Sequence, residues 1–89
     1  MTPKRSAIQS IYAQVGALDW AAPNLDALAD VLRDLGWLPT GPVVIDWTPP
    51  ARLAEADRLT IEALLRRSVQ QSASGPRPIT VRWNGTITS

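Results

Sequence analysis

Ile8, Ile11, Tyr12, Val15 and Leu18 recur three or four residues apart, the spacing of one helix face. This first helix is predicted to open at Ser6, which has capping-box spacing to Gln9, and to fray at Gly16. Residues 1–5 before it read as a disordered start. Leu25, Leu28, Leu32 and Leu35 form a second stripe. Asn24, directly after Pro23, is its N-cap, and Gly36 is its expected stop. Val43-Val44-Ile45-Asp46-Trp47 is a β-branched run and reads as a strand. Thr48-Pro49-Pro50 fits the cap and first turn of a third helix reaching about Ala56. A fourth helix is predicted from about Asp57 to Ala73, with Ile61, Leu64, Leu65, Ser68 and Val69 as its stripe and Ser74-Gly75-Pro76 as its end. Ile79, Val81 and Trp83 alternate with Thr80 and Arg82, a second strand. Asn84-Gly85 then predicts a hairpin, with Thr86-Ile87-Thr88 as a short return.

Two strands separated by helices imply a crossover and parallel pairing. The expected fold is α/β: a small two-layer domain, its short, mainly parallel sheet packed against about four helices, with a C-terminal hairpin. At 89 residues the chain has room for one such domain, expected over residues 6–89. It has no Cys and no His, which removes disulfides, thiol nucleophiles, the commonest general base and the commonest metal ligand. No cofactor is implied. No apolar run approaches the roughly 20 residues of a membrane helix. Gln9, Ser10 and Gln14 interrupt the stretch after the basic Met-Thr-Pro-Lys-Arg start, so no signal peptide is read and a cytoplasmic location is expected.

The net charge of +1 hides an uneven distribution. Residues 1–18 carry +2, residues 19–46 carry −4 and residues 47–89 carry +3. In the acidic middle, Asp26, Asp30 and Asp34 stand at i, i+4 and i+8 on one helix face, away from the leucines. Like charges at that spacing cost a helix a few tenths of a kcal/mol each, roughly. Such a ridge is most often a solvated face. The alternative is an anionic ridge that docks into a cationic pocket, with Trp20 as an aromatic anchor just before it. Arg66-Arg67 and Arg77 read as solvated flank. With near-zero net charge and no basic run interleaved with aromatics, nucleic-acid binding is not expected. Two carboxylates four residues apart could imitate an acid/base pair, but nothing points to their burial, so an enzyme is not expected. Trp47, Trp83 and Trp37 read as core or core edge, with Trp37 nearest an interface rim. Asp46 reads as a solvent-facing edge-strand residue.

Pro-Asn-Leu-Asp-Ala-Leu-Ala-Asp-Val-Leu (23–32) resembles the central motif of the barstar family, small intracellular inhibitors of bacterial ribonucleases. Asn24, Leu25, Asp26, Ala27, Leu28, a spacer Ala29 and Asp30 meet the family pattern in order. Gly41-Pro-Val-Val-Ile-Asp-Trp47 resembles its apolar strand, and Ile-Thr-Val (79–81) continues the order. The resemblance covers roughly residues 6–82. It implies an inhibitor whose acidic helix enters a ribonuclease active site. Asp30 then takes the place of a substrate phosphate and Asp26 adds a second charge contact. Trp20 falls where the family has an aromatic on the enzyme's catalytic edge, and Asn24 and Leu25 match its helix-start contacts. The implied partner surface is Trp20, Asn24, Leu25, Asp26, Ala29, Asp30, Arg33, Asp34 and Trp37.

The chain also departs from the family. No strand precedes helix 1, which would leave a sheet edge open, so the free protein is expected as a monomer or weak dimer. Ala29 replaces an aromatic between the two aspartates. An acidic contact late in the fourth helix falls near Gln70 or Gln71, both neutral. The family prototype is strongly acidic, whereas this chain is balanced. The expected partner is a microbial, guanyl-preferring ribonuclease that is less basic overall, or even acidic, with a cationic cleft. The alternative is a barstar-fold interaction or immunity module with a partner other than a ribonuclease.

Overall fold

Thr2-Pro3 starts the first helix earlier than Ser6 predicts. The computed structural model describes residues 2–83 and 86–87, and its first helix, α1, spans Pro3–Val15. The Thr2 hydroxyl accepts from the Arg5 backbone N–H at 3.2 Å. Pro3 occupies the first turn, where its fixed φ suits the helix and a missing N–H costs nothing. Ser6 is therefore inside the helix, donating its N–H to the Thr2 carbonyl at 3.0 Å. The expected disordered start is corrected to helix for residues 3–5, while Met1 lies outside the described residues. Gly16, left-handed at φ 75°, ends α1. Leu18 falls beyond that end and is exposed.

Helix α2 spans Leu25–Arg33, capped by Asn24 as expected. Its end is not set by Gly36. Asp34 turns extended at φ −129°, and its carboxylate accepts from the Gly36 N–H at 3.0 Å, an Asx-type turn that competes with another helical turn. Strand β1 is Val43–Trp47. The helix expected from Thr48 does not form. Pro49 and Pro50 lack donors and hold the residues before them extended, and the segment makes one turn closed by Leu53 N–H to Pro50 O at 3.1 Å. Helix α3 then spans Glu55–Ser72. The described residues thus hold three helices rather than four. Strands β2 (Ile79–Trp83) and β3 (Thr86–Ile87) follow.

The sheet order is β1-β2-β3. β1 and β2 are parallel, in register from Val43↔Ile79 to Trp47↔Trp83. β3 pairs antiparallel with the end of β2. The return strand is therefore present, while Asn84, Gly85 and Thr88 lie outside the described residues. Ile45, Trp47, Ile79 and Val81 are buried on one sheet face, and Val44 and Asp46 are exposed on the other. On the buried face α1 packs against β1, α3 against β2 and α2 against α3. Ile8, Ile11, Tyr12, Val15, Leu28, Leu32, Ile61 and Leu65 close the core.

One charge enters that core. Glu62, nearly buried on α3, accepts from Trp47 Nε1 at 2.9 Å and Arg58 Nη1 at 3.1 Å. This ties α3 to the end of β1. No described helix is long and apolar enough to cross a membrane.

Candidate functional site

The loop from Gly16 to Asn24 aims α2. Tyr12 donates its hydroxyl to the Ala22 carbonyl at 2.7 Å, pinning the loop to α1, and burial pushes the Tyr12 phenol above its ordinary pKa. Ala21 N–H returns to the Ala17 carbonyl at 3.0 Å. Asn24 then accepts the Ala27 N–H on its side-chain oxygen at 2.8 Å, satisfying one of the helix's orphan donors. The apolar face of α2 goes to the core through Leu28, Val31 and Leu32. The other face is left to solvent, with Asp26 and Asp30 one turn apart on it.

Trp20 and Trp37 meet beside this face. Trp20 is 59% exposed and Trp37 40%. Their rings stand edge to face, 5.0 Å between centroids at 88°, an arrangement the ring quadrupoles favour. Trp37 is fixed in turn by its indole N–H, which donates to the Val15 carbonyl at 2.8 Å. That carbonyl belongs to the last turn of α1, where no intrahelical donor remains. Trp37 is thus partly exposed and at the same time a partner for the end of α1, and it props Trp20 in an exposed position.

Trp20, Ala22, Ala27, Asp30, Asp34 and Trp37 border an open groove of about 320 Å³. It has an aromatic wall, a floor of small side chains and a carboxylate edge. The structure therefore brings Trp20, Asp30, Asp34 and Trp37 together, with Asn24 and Asp26 at the start of the same helix. Leu25 is half-buried against the core and supports the helix start. Ala29 and Arg33 are on the other flank of α2, in a groove against α3. Asp34 is not a third helical ridge position, because the helix has ended and its carboxylate bonds its own backbone. Of the two late glutamines, Gln71 borders the groove beside Arg33.

Asp30 is ion-paired to Arg33, one turn on. The two side chains are 71% and 68% exposed, so water screens the pair and its worth is roughly 0–1 kcal/mol. It orients the Asp30 carboxylate without sealing it from a partner. Sequence spacing alone could have flagged this i, i+3 pair. The tryptophan pair had no such signal, since it joins two loops 17 positions apart. The alanines of the groove floor had none either: an Ala reads the same in a core and in a cleft.

The arrangement presents acceptors and aromatic area outward from a rigid helix. Comparison with curated proteins and with solved structures gives no match, whereas the family model described as Barstar (barnase inhibitor) matches residues 1–83. That match takes in α1, α2, the parallel strands and α3. With residues 1–83 of its 89 covered, the chain belongs to the barstar family.

Proposed function

We propose that this protein inhibits a microbial, guanyl-preferring extracellular ribonuclease from the cytoplasm of the producing cell, by plugging the enzyme's active site with α2. Members of the family are inhibitors rather than enzymes. The observation that carries the reading is the placing of Asp30: an exposed carboxylate on a capped helix, at the edge of a groove walled by two tryptophans. A cleft built to bind phosphate offers clustered cationic donors, and a carboxylate held on a rigid helix meets them without prior ordering. Asp26 extends the anionic edge. Trp20 and Trp37 supply aromatic area of the kind that dominates interface energetics. Asn24 and Leu25 fix the helix start, and the groove floor accepts a side chain of the enzyme.

The test is inhibition of purified secreted ribonucleases by the wild type and by Asp30→Ala. Tight inhibition that falls by about 30-fold or more in the variant (about 2 kcal/mol, a hot-spot magnitude) is expected. Inhibition unchanged by the substitution would overturn the phosphate-mimic mechanism.

A second reading is a barstar-fold interaction or immunity module with a non-ribonuclease partner. One observation favours it: in the groove between α2 and α3 the neutral Gln71 stands beside Arg33 and Arg67, where the family resemblance implies an acidic contact. A folded protein that inhibits no ribonuclease in the panel would select this reading.

A further inference from the structure

Arg33 is the residue that an acidic docking surface leaves unexplained. It is the sole cation between residues 19 and 46, and its guanidinium pairs with Asp30. The same side chain also walls a small groove of about 100 Å³ between α2 and α3. Leu64, Arg67, Ser68 and Gln71 stand at i, i+3, i+4 and i+7 on the α3 side, and Ala29 with Arg33 on the α2 side. Arg67 is exposed and pairs with no carboxylate among the described residues. Beyond the end of α2 the surface continues into a cleft bordered by Arg33, Gln71 and Arg77, with Asp34 as its one carboxylate. The anionic edge of α2 thus has a cationic flank on its other side, and Arg33 stands between them.

We propose that the α2–α3 groove receives a carboxylate side chain of the inhibited ribonuclease, held by Arg33 and Arg67, so that these two residues select which ribonuclease is bound. The proposal rests on the inhibitor reading given above. Once the enzyme's cations take Asp30, Arg33 loses its counter-charge and stands beside incoming positive groups. Its remaining direction is the groove, where Arg67 is also positive. Two arginine side chains bordering one small open groove are compatible when an anion sits between them. A carboxylate suits that place, because each planar guanidinium can bind it through paired N–H donors. An enzyme with an acidic residue at that point exchanges one ion pair for another. An enzyme with a neutral residue there leaves the two guanidinium groups without an anion, one with a basic residue adds like charge, and specificity follows from that repulsion. The anion belongs to a folded protein rather than to RNA, since Asp26 and Asp30 on α2, with Asp34 just past its end, repel a continuous phosphate backbone.

The experiment measures inhibition constants for the wild type, Arg33→Gln, Arg67→Gln and the double variant against purified barnase-type ribonucleases ranging from basic to acidic. Asp30→Ala is the separate control, and far-UV circular dichroism checks that each variant is folded. For the most tightly bound enzyme the double variant is expected to weaken inhibition at least tenfold, with each single variant contributing. The inference is overturned if the double variant binds as tightly as wild type or more tightly while Asp30→Ala loses inhibition. Arg33 would then be only an internal competitor for Asp30. If no enzyme is inhibited, the inhibitor reading fails first and this one with it; if Asp30→Ala inhibits fully, the phosphate-mimic mechanism falls, and with it the exchange of ion pairs on which this inference rests. Binding of a single-stranded RNA oligonucleotide that is lost in the double variant would reassign the groove to nucleic acid and also overturn the proposal.

Discussion

The side-chain amide of Gln14 is bonded to both backbone groups of Asp46. Gln14 Nε2 donates to the Asp46 carbonyl at 2.9 Å, and Gln14 Oε1 accepts the Asp46 N–H at 2.6 Å. β1 is an edge strand, and these are the groups a further strand would use. The amide of one α1 residue therefore stands in for a strand residue. Among the described residues no strand pairs with this edge, and at Asp46 the Gln14 amide occupies the groups that would otherwise be a template for another chain. Gln14→Ala is expected to destabilise the fold by about 1–2 kcal/mol and to raise self-association. Gln14→Glu keeps the acceptor and loses the donor, so an intermediate effect is expected. Denaturant unfolding with analytical ultracentrifugation at several concentrations checks both. A strictly monomeric Gln14→Ala protein of wild-type stability would count against the role.

Glu62 is the second place where one side chain joins distant elements. Its carboxylate takes the Trp47 indole N–H and the Arg58 guanidinium together. Glu62→Ala leaves the buried indole N–H without an acceptor, and Arg58 keeps only Glu55, at 3.6 Å. A loss of about 2–3 kcal/mol is expected. Glu62→Gln retains an acceptor for the indole and should cost less. Urea denaturation of the two variants measures the order, which a purely volume-based role for Glu62 would not produce.

Tyr12 gives the fold an alkaline limit. Burial raises the folded-state pKa of its phenol, so the folded state favours the protonated form. That contribution is complete below the unfolded value of about 10 and is lost as pH rises from there through the raised folded value. Stability should therefore fall above about pH 10, and Tyr12→Phe should flatten the fall. The variant also loses the bond to Ala22, at about 1 kcal/mol near neutral pH. Thermal unfolding from pH 7 to 11.5 tests this, and equal alkaline slopes in both proteins would refute it.

Charge balance sets an expectation for kinetics. Strong global steering raises association rates by two or more decades at low salt. With a net charge of +1 and a cationic flank beside the acidic helix, this protein should bind its ribonuclease with an association rate that changes by less than about tenfold from low to high salt. Stopped-flow association across ionic strengths is the measurement. A steep fall would mean that the partner is strongly basic and that the acidic edge alone guides encounter.

A linear pattern records what short-range chemistry controls. The spacing of Leu28 and Leu32, the Asn24 cap, the β-branched run of β1 and the alternation in β2 each act within a few residues, so the elements and the acidic helix face were legible. The errors also lay in local competition. Thr2-Pro3 is a better helix start than Ser6. Two prolines that fit a helix's first turn on paper stay extended when the chain is leaving a strand. The Asp34 carboxylate ends α2 before Gly36 can. Packing set which side chains meet: Trp20 against Trp37, Trp37 on the end of α1, Gln14 on the edge of β1, Glu62 under Trp47, and Arg33 between Asp30 and the α3 face. These contacts join residues brought together by packing, and a linear pattern holds no record of which exposed side chains a fold will set side by side.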